Sequence, residues 1–442
     1  MFPAPLHTHP LPLPGPWPAC SQGLLREGAS WLHSGQARTG DAGGDLLVLP
    51  GGPVLESRWT GRSWATSLDG APLPGSPWEA LDASLSRGPW VGAAGFELAC
   101  SEADLPHQAP AEGELGMRWQ AIRGAIRVEN GAAEFWSWVD GVPDLVAVQA
   151  LLGPACALGR ACGRLEPAWS EDRHRAAVEA IQRRIHDGGF YVANLCVPFE
   201  GPFEGDPVTL ALAALRRARP PYGAFLDLGD RRLLCLSMER LLARRGNRLW
   251  TEPIKGSAPL LGQTGADAAA GAALRADPKE RAEHSMIVDL LRNDLGRAAT
   301  PGSVRVEQLM ELETYPTVQH LVSRVSAEAR PGLRLPDLLR AVLPGGSVTG
   351  APKRAVCAHL AEAEAGPRGF YCGALGWIGA DGDMDLCLPI RTAQIRDGRI
   401  LYWAGGGITR LSDAPKEWQE LRLKTQVLTQ ALHPQTGIPL KP

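Results

Sequence analysis

The 442-residue chain has no surplus of positive charge: 45 Lys and Arg stand against 48 Asp and Glu, for a net charge of −3. That balance excludes the broad basic surface by which nucleic acid or an anionic membrane is held. The local pairs Arg216–Arg217 and Arg231–Arg232 read as solvated surface. No apolar run approaches the ~20 residues that a membrane-spanning helix needs. The opening stretch MFPAPLHTHPLPLPGPWPAC has neither Lys nor Arg nor an apolar core, so the pattern of a signal peptide is missing. Nine cysteines are scattered along the chain, and the closest pair, Cys156 and Cys162, does not have the CxxC spacing of zinc or redox sites. Cys235 and Cys387 lie in apolar runs. The expectation is buried thiols in a reducing cytoplasm. There is no GK[ST] ending to a glycine loop, no GxGxxG and no GxSxG.

What is present is a globular composition, 44% hydrophobic, in a chain long enough for a large core. Residues 1–24 are Pro-rich and read as a mobile lead-in. Residues 25–150 are strand-rich, with DLLVLP at 45–50 and AIRGAIRVENGAAEFWSWV at 121–139. A Gly/Pro-rich connection follows at 150–167, and a third region runs over 165–435. There Ser170 caps a helix, and Asp277 caps another with Pro278 at its first position and Glu280 in a capping-box-like place. RRLLCLSMERLLAR (231–244) starts as a strand, and RLWTEPIKG (248–256) is a strand entering a turn. The segments 371–379, 384–395 and 399–408 are three consecutive strands, and 412–432 is a closing helix. Strand runs followed by separate helices predict an α+β fold.

Two carboxylate pairs share one spacing. Glu280 and Glu283 lie three apart in one helix, and Glu417 and Glu420 repeat this in another, with Lys424 one turn on. Such pairs can hold a hard divalent cation by oxygen, but they also suit an ordinary solvated helix face. Gly405, Gly406 and Gly407 end a strand, and PGGSVTGAPK (344–353) brings further amides and Lys353; both could approach an anion or simply turn the chain. Lys255, between Pro253 and Gly256, is either a solvated lysine or, if buried among other cations, a nucleophile. Taken alone, His284 and His320 read as packing or hydrogen-bonding residues.

Nine segments, in order, resemble the chorismate-utilising enzymes: SMERLL, PIKGSAP, KERAEHSMIVDLLRNDLGR, TYPTVQHLVS, PGGSVTGAPK, GFYCGALGW, LPIRTA, AGGGIT and KEWQELRLK. The similarity runs from about 165 to 432, with weaker similarity at WLHSG (31–35) and GFEL (95–98). That family holds anthranilate synthase component I, aminodeoxychorismate synthase component I, and the isochorismate and salicylate synthases. The resemblance implies two packed β-sheets flanked by helices, a four-layer α/β/β/α sandwich. It also implies Mg²⁺-dependent chemistry on chorismate. Glu283 and Glu420 would be direct Mg²⁺ ligands, with Glu280 and Glu417 acting through water. Tyr371, Arg391, Lys424 and the amides of Gly405, Gly406 and Gly407 would hold the substrate carboxylates. Gly256 and Ser257 would line the ring, His320 would stand near the leaving hydroxyl, and Glu239 would be the general acid.

Lys255 resembles the lysine of aminodeoxychorismate synthases, which adds to C2 of the ring; anthranilate synthases typically carry alanine there. PGGSVTGAPK and WLHSG point the same way. The resemblance therefore implies amination of chorismate at C4 for 4-aminobenzoate and folate synthesis. Ammonia would come from a separate glutamine amidotransferase subunit, since no GxCxGxQ-type segment is seen. The alternatives are anthranilate synthase component I and a non-catalytic homologue. Ser34, Pro221, Tyr222 and Gly223 match a candidate tryptophan site. Gly189 and Val192 depart from the family's GDxYQxNL. Valine at 192 argues against the water-adding relatives, which carry a lysine base there.

Overall fold

The computed structural model describes all residues except 1, 3, 16, 35–43, 141–144, 154–160, 261, 317 and 433–442. Its strands form a 13-stranded and a 12-stranded sheet, with antiparallel pairing throughout. In the first, Ser30–Ser34, Tyr222–Asp227, Arg232–Ser237, Thr392–Arg396, Arg399–Ile408 and Val192–Gly205 lie side by side. In the second, Ile254–Pro259, Val318–Glu328, Arg248–Glu252, Arg240–Arg245, Met384–Cys387 and Ala374–Ile378 do so. Both sheets take strands from the 25–150 and the 165–435 regions, so the two regions are interleaved rather than stacked as separate bodies.

Three buried clusters account for the layering. Leu46, Val91, Leu226, Leu233, Leu375 and Trp377 fill the space between the sheets. Val178, Leu215, Leu360 and Leu421 cover the first sheet from helices Glu171–His186, Pro207–Ala218, Lys353–Ala363 and Ala414–Leu432. Leu81, Leu98, Val288 and Leu338 cover the second from helices Pro77–Ser84, Phe96–Glu102, Pro278–Ala298 and Leu335–Val342. This is the expected α+β four-layer sandwich. Along Arg399–Ile408 the strand period of two sends Ile400, Tyr402 and Ala404 to the helix side and Leu401 and Trp403 to the other.

Two runs change sheets: 231–244, which reads as starting with a strand, and 384–395, which reads as a single strand. Arg232–Ser237 belongs to the first sheet and Arg240–Arg245 to the second. Likewise Met384–Cys387 belongs to the second and Thr392–Arg396 to the first, with Pro389, which has no N–H for a ladder, between them. The two crossovers are bonded to each other. Ser237 Oγ donates to Leu388 O (2.6 Å), Leu388 N to Glu239 O (3.0 Å), and Leu236 N to Arg391 O (3.1 Å).

The Pro-rich start also differs from its expectation. Its His7–Pro10 strand pairs with Ala132–Ser137, and Leu11, Cys20 and Leu24 are buried in the helix-side core. Proline is tolerated there because the strand is an edge strand. The GFEL segment acts as a clamp: Glu97 accepts hydrogen bonds from Arg368 N (2.6 Å) and Gly369 N (3.0 Å), and Phe96 N donates to Gly369 O.

Candidate active site

Lys255 lies within a strand rather than at a turn. Pro253 interrupts the run, and Ile254–Pro259 pairs with Val318–Glu328, Lys255 opposite Leu321, with the register slipping at Gly256 and Ser257. Gly256 has φ +69, and a Cβ there would stand 2.7 Å from Leu274 Cδ1 and 3.2 Å from the Glu280 carboxylate. Only glycine meets both demands. Opposite the bulge, His320 Nδ1 lies 2.7 Å from Gly256 O and 3.2 Å from Ser257 Oγ. A carbonyl only accepts, so Nδ1 carries a proton and donates it to Gly256 O.

The helix Pro278–Ala298 starts at Asp277, whose Oδ1 accepts from Lys279 N (2.8 Å) and Glu280 N (3.1 Å). The Glu280 carboxylate lies beside Gly256. The helix Ala414–Leu432 starts at Asp413, which accepts from Lys416 N. The glutamate pairs of the two helices converge: Lys279 Nζ reaches both Glu283 and Glu417, and Glu420 acts on Glu280.

The three glycines are the floor between them. A Cβ on Gly407 would stand 3.7 Å from Lys255 Nζ and 3.8 Å from Glu283 Oε2. On Gly406 it would stand 3.2 Å from Glu417 Oε2 and 4.0 Å from Lys424 Nζ. The strand's alternation thus aims Gly407 at the second sheet and Gly406 at the last helix, and bare backbone leaves room on both faces. Lys424 Nζ donates to Gly405 O (2.7 Å) and pairs with Glu420 (2.7 Å). Val192 is also here, its Cγ2 3.7 Å from the same Gly407 point, so the departure at 192 puts an apolar wall in the site.

Burial raises Glu283 to about 7 despite the pull of Lys255 and Lys279, and it also raises Glu280, with help from Glu420. Lys424 holds Glu420 below its ordinary value. Burial acts to lower Lys279, but Glu417 and Glu283 outweigh it, and the ammonium lies above its ordinary range. Glu283 Oε1 is buried with no hydrogen-bond partner, which suits a carboxylate set out to meet a cation. Among the described residues no three His, Cys, Asp or Glu side chains are already gathered into a metal cage; lysines stand between the glutamates instead. An all-oxygen donor set of this kind fits Mg²⁺.

Glu239 and Arg391 sit at the two sheet crossovers. Glu239 is buried, and its Oε1 accepts from Ser347 Oγ at 2.5 Å. Its neighbour Met238 packs against Ile254, beside Lys255. Arg391 has φ +50, a left-handed conformation that an arginine adopts at a cost of about 1 kcal/mol. Burial lowers its pKa, while Tyr402 and Glu420 act in the opposite sense. Tyr371 is buried, as is His320. The Tyr371 ring stacks on Trp403 and its hydroxyl is 3.9 Å from Cys196 Sγ, which lies beside Gly405.

Ser34, Tyr222 and Gly223 fall on neighbouring strands, with Gly223 opposite His33, and buried Pro221 precedes them. The Tyr222 hydroxyl donates to Glu252 (3.0 Å), and His33 bonds Asp45 (2.6 Å). Gly35 of WLHSG lies outside the described residues. Gly189 ends the Glu171–His186 helix region, its N–H on Arg184 O. Lys353 is not available to an anion: it bonds Asp294 Oδ2 and Pro344 O, both at 2.9 Å. His284 is buried on Ser323 Oγ at 2.7 Å, and burial lowers it to about 4. Two residues escaped the sequence. Ser347 carries no local signal. Lys279 has one, a positive charge in the first turn of a helix, where the macrodipole disfavours it.

No helix among the described residues is long and apolar enough to cross a membrane. A family model described as chorismate binding enzyme matches residues 74–430. Aminodeoxychorismate synthase component 1 of Klebsiella aerogenes is 36% identical over 333 residues, 75% of this chain and 74% of that one. Its namesake in Salmonella typhimurium strain LT2 is 40% identical over 276 residues, 61% of this chain and 60% of that one. Among solved structures, anthranilate synthase component I from Streptococcus pneumoniae superposes with a TM-score of 0.76 at 27% identity, over 87% of this chain and 91% of that one. The chain belongs to the family of chorismate-binding enzymes.

Proposed function

We propose that the chain aminates chorismate at C4 to give 4-amino-4-deoxychorismate, using ammonia from a separate glutamine amidotransferase subunit. The observation that carries this reading is the meeting of the Lys255 amine and the Glu283 carboxylate over the bare backbone of Gly407. Relatives named aminodeoxychorismate synthase component 1 support amination, and that name implies a second component.

Mg²⁺, held by Glu283 and Glu420 directly and by Glu280 and Glu417 through water, would neutralise the ring carboxylate of chorismate. Arg391, Lys424, Tyr371 and the amides of Gly405, Gly406 and Gly407 orient the substrate carboxylates, while Gly256, Ser257 and His320 face the ring. The nitrogen lone pair of the Lys255 amine forms a bond to C2 as the C4–O bond breaks. Glu239 gives its proton to the departing hydroxyl, which leaves as water. Ammonia then forms the C4–N bond, the double bond shifts back, and the bond from C2 to Lys255 breaks. The surplus proton of the new ammonium returns to Glu239. The product keeps its enolpyruvyl group.

Ser34, Pro221, Tyr222 and Gly223 form the candidate tryptophan site, and a reducing cytoplasm suits the buried free thiols. The test is the purified chain with chorismate, Mg²⁺ and ammonium, its products identified by mass spectrometry. Aminodeoxychorismate is expected. Anthranilate as the main product would overturn the reading, and no turnover above a Glu283→Ala control would make the chain a non-catalytic binder.

A further inference from the structure

Lys279 is in the wrong place for a surface lysine. It is the second residue of the Pro278–Ala298 helix, where the macrodipole repels a cation, and it lies N-terminal to its i+4 partner Glu283, the weaker order for such a pair. Its ammonium nevertheless reaches inward. Nζ is 3.3 Å from Glu417 Oε1 and 3.8 Å from Glu283 Oε1, so one lysine spans the two helices that carry the Glu-x-x-Glu pairs. The contact with Glu283 is an ion pair too long for a hydrogen bond, which leaves Glu283 Oε1 buried and unsatisfied. The two carboxylates are 12% and 7% exposed, whereas the lysine is 36% exposed. The cation enters from the rim and can swing back to water; the carboxylates cannot.

We propose that Lys279 is a tethered competitor of the divalent cation: its ammonium occupies the gap between Glu283 and Glu417 and must be displaced when the metal binds. The proposal rests on the reading of these glutamates as the metal site. It makes the lysine a setting for metal affinity, since one positive charge is expelled for each ion taken up. It also makes the lysine a bridge between the two helices, because Glu283 and Glu417 repel each other and the Lys279 ammonium contacts both.

The test is Mn²⁺ binding to the full chain, followed by the loss of the free-ion electron paramagnetic resonance signal, with thermal unfolding measured in parallel. Lys279→Gln should bind Mn²⁺ on the order of tenfold more tightly than the unaltered chain. It should melt lower without Mn²⁺ and recover with it. Lys279→Arg, which keeps the charge, should bind no more tightly than the unaltered chain. Equal or weaker binding by Lys279→Gln, with Glu283→Gln abolishing binding, would overturn the competitor role and leave the metal site standing. Unchanged binding by Glu283→Gln would remove the metal site and the competitor together.

Discussion

Ser347 Oγ donates a 2.5 Å hydrogen bond to Glu239 Oε1, the proposed general acid, and both side chains are buried. The serine is held in turn. Arg368 Nη1 bonds Val348 O (2.8 Å), its Nη2 bonds Asn194 O (2.9 Å), and Glu364 neutralises it. Removing the hydroxyl should take the Ser347 hydrogen bond from the Glu239 carboxyl but should not touch the groups proposed to bind the substrate carboxylates. Ser347→Ala is therefore expected to lower kcat by about 10- to 100-fold with little change in KM for chorismate. Ser347→Thr should restore most of it. A rise in KM at unchanged kcat would show that the serine serves binding instead.

Gly407 tests the floor of the site. Its φ is not in the left-handed region, so alanine is tolerated by the backbone, and the added Cβ meets Lys255 Nζ and Glu283 Oε2 at ordinary contact distances. Folding should be unaffected, with the melting temperature unchanged. The methyl would fill the space proposed for a substrate carboxylate against the strand amides. Steady-state kinetics of Gly407→Ala should show KM for chorismate raised by about tenfold or more, a cost of at least ~1.4 kcal/mol. An unaltered KM would place the substrate elsewhere.

Lys255→Ala removes the proposed nucleophile. Formation of aminodeoxychorismate from chorismate and ammonium should fall by about two orders of magnitude or more. Lys255→Arg should not rescue it, because a guanidinium stays protonated and cannot add to the ring. Product quantification by mass spectrometry checks both variants. Unchanged rates would take the lysine out of the mechanism.

Glu97 gives the fold a pH dependence of its own. Burial outweighs its hydrogen bonds from Arg368 and Gly369 and raises it from its ordinary 4.5 to about 7. Between these values the unfolded chain has lost the proton and the folded chain keeps it. The stabilisation is therefore complete below about 4.5 and is lost as pH rises towards about 7. Its size is roughly 3 kcal/mol. Denaturant unfolding across this window should show the unaltered chain losing stability relative to Glu97→Gln as pH rises. Parallel curves would mean that the carboxyl is ionised throughout.

Much of the site could be seen in the sequence because it is carried by local periodicity. The i, i+3 glutamates, the Asp277 and Ser170 caps and the triple glycine follow from spacing alone. The proposed roles of Glu239 and Arg391 came only from resemblance, and their places in the fold show why spacing did not point to them. Each sits where a strand-like run leaves one sheet for the other, and alternation of side chains continues through such a step without announcing it. Pro389 was the one local hint. Lys279 and Ser347 stayed hidden because each is defined by a partner 138 or 108 residues away. The Pro-rich opening was misjudged for a similar reason: Leu11, Cys20 and Leu24 are apolar residues in a poor local context, and only the neighbouring Ala132–Ser137 strand and the helix-side core give them a place.

The paired crossovers at 237–239 and 388–391 have a mechanical consequence. Glu239 and Arg391 hang from the two points where the sheets are stitched together, and the stitches are knotted to each other through Leu388 and Leu236. A change in how the sheets lie face to face cannot be absorbed by a loop before it reaches those side chains. Volume changes at remote inter-sheet positions such as Leu226 or Trp377 should therefore register as altered catalysis before they register as unfolding. The sandwich is the jig on which the proposed acid and the proposed anion clamp are held in register.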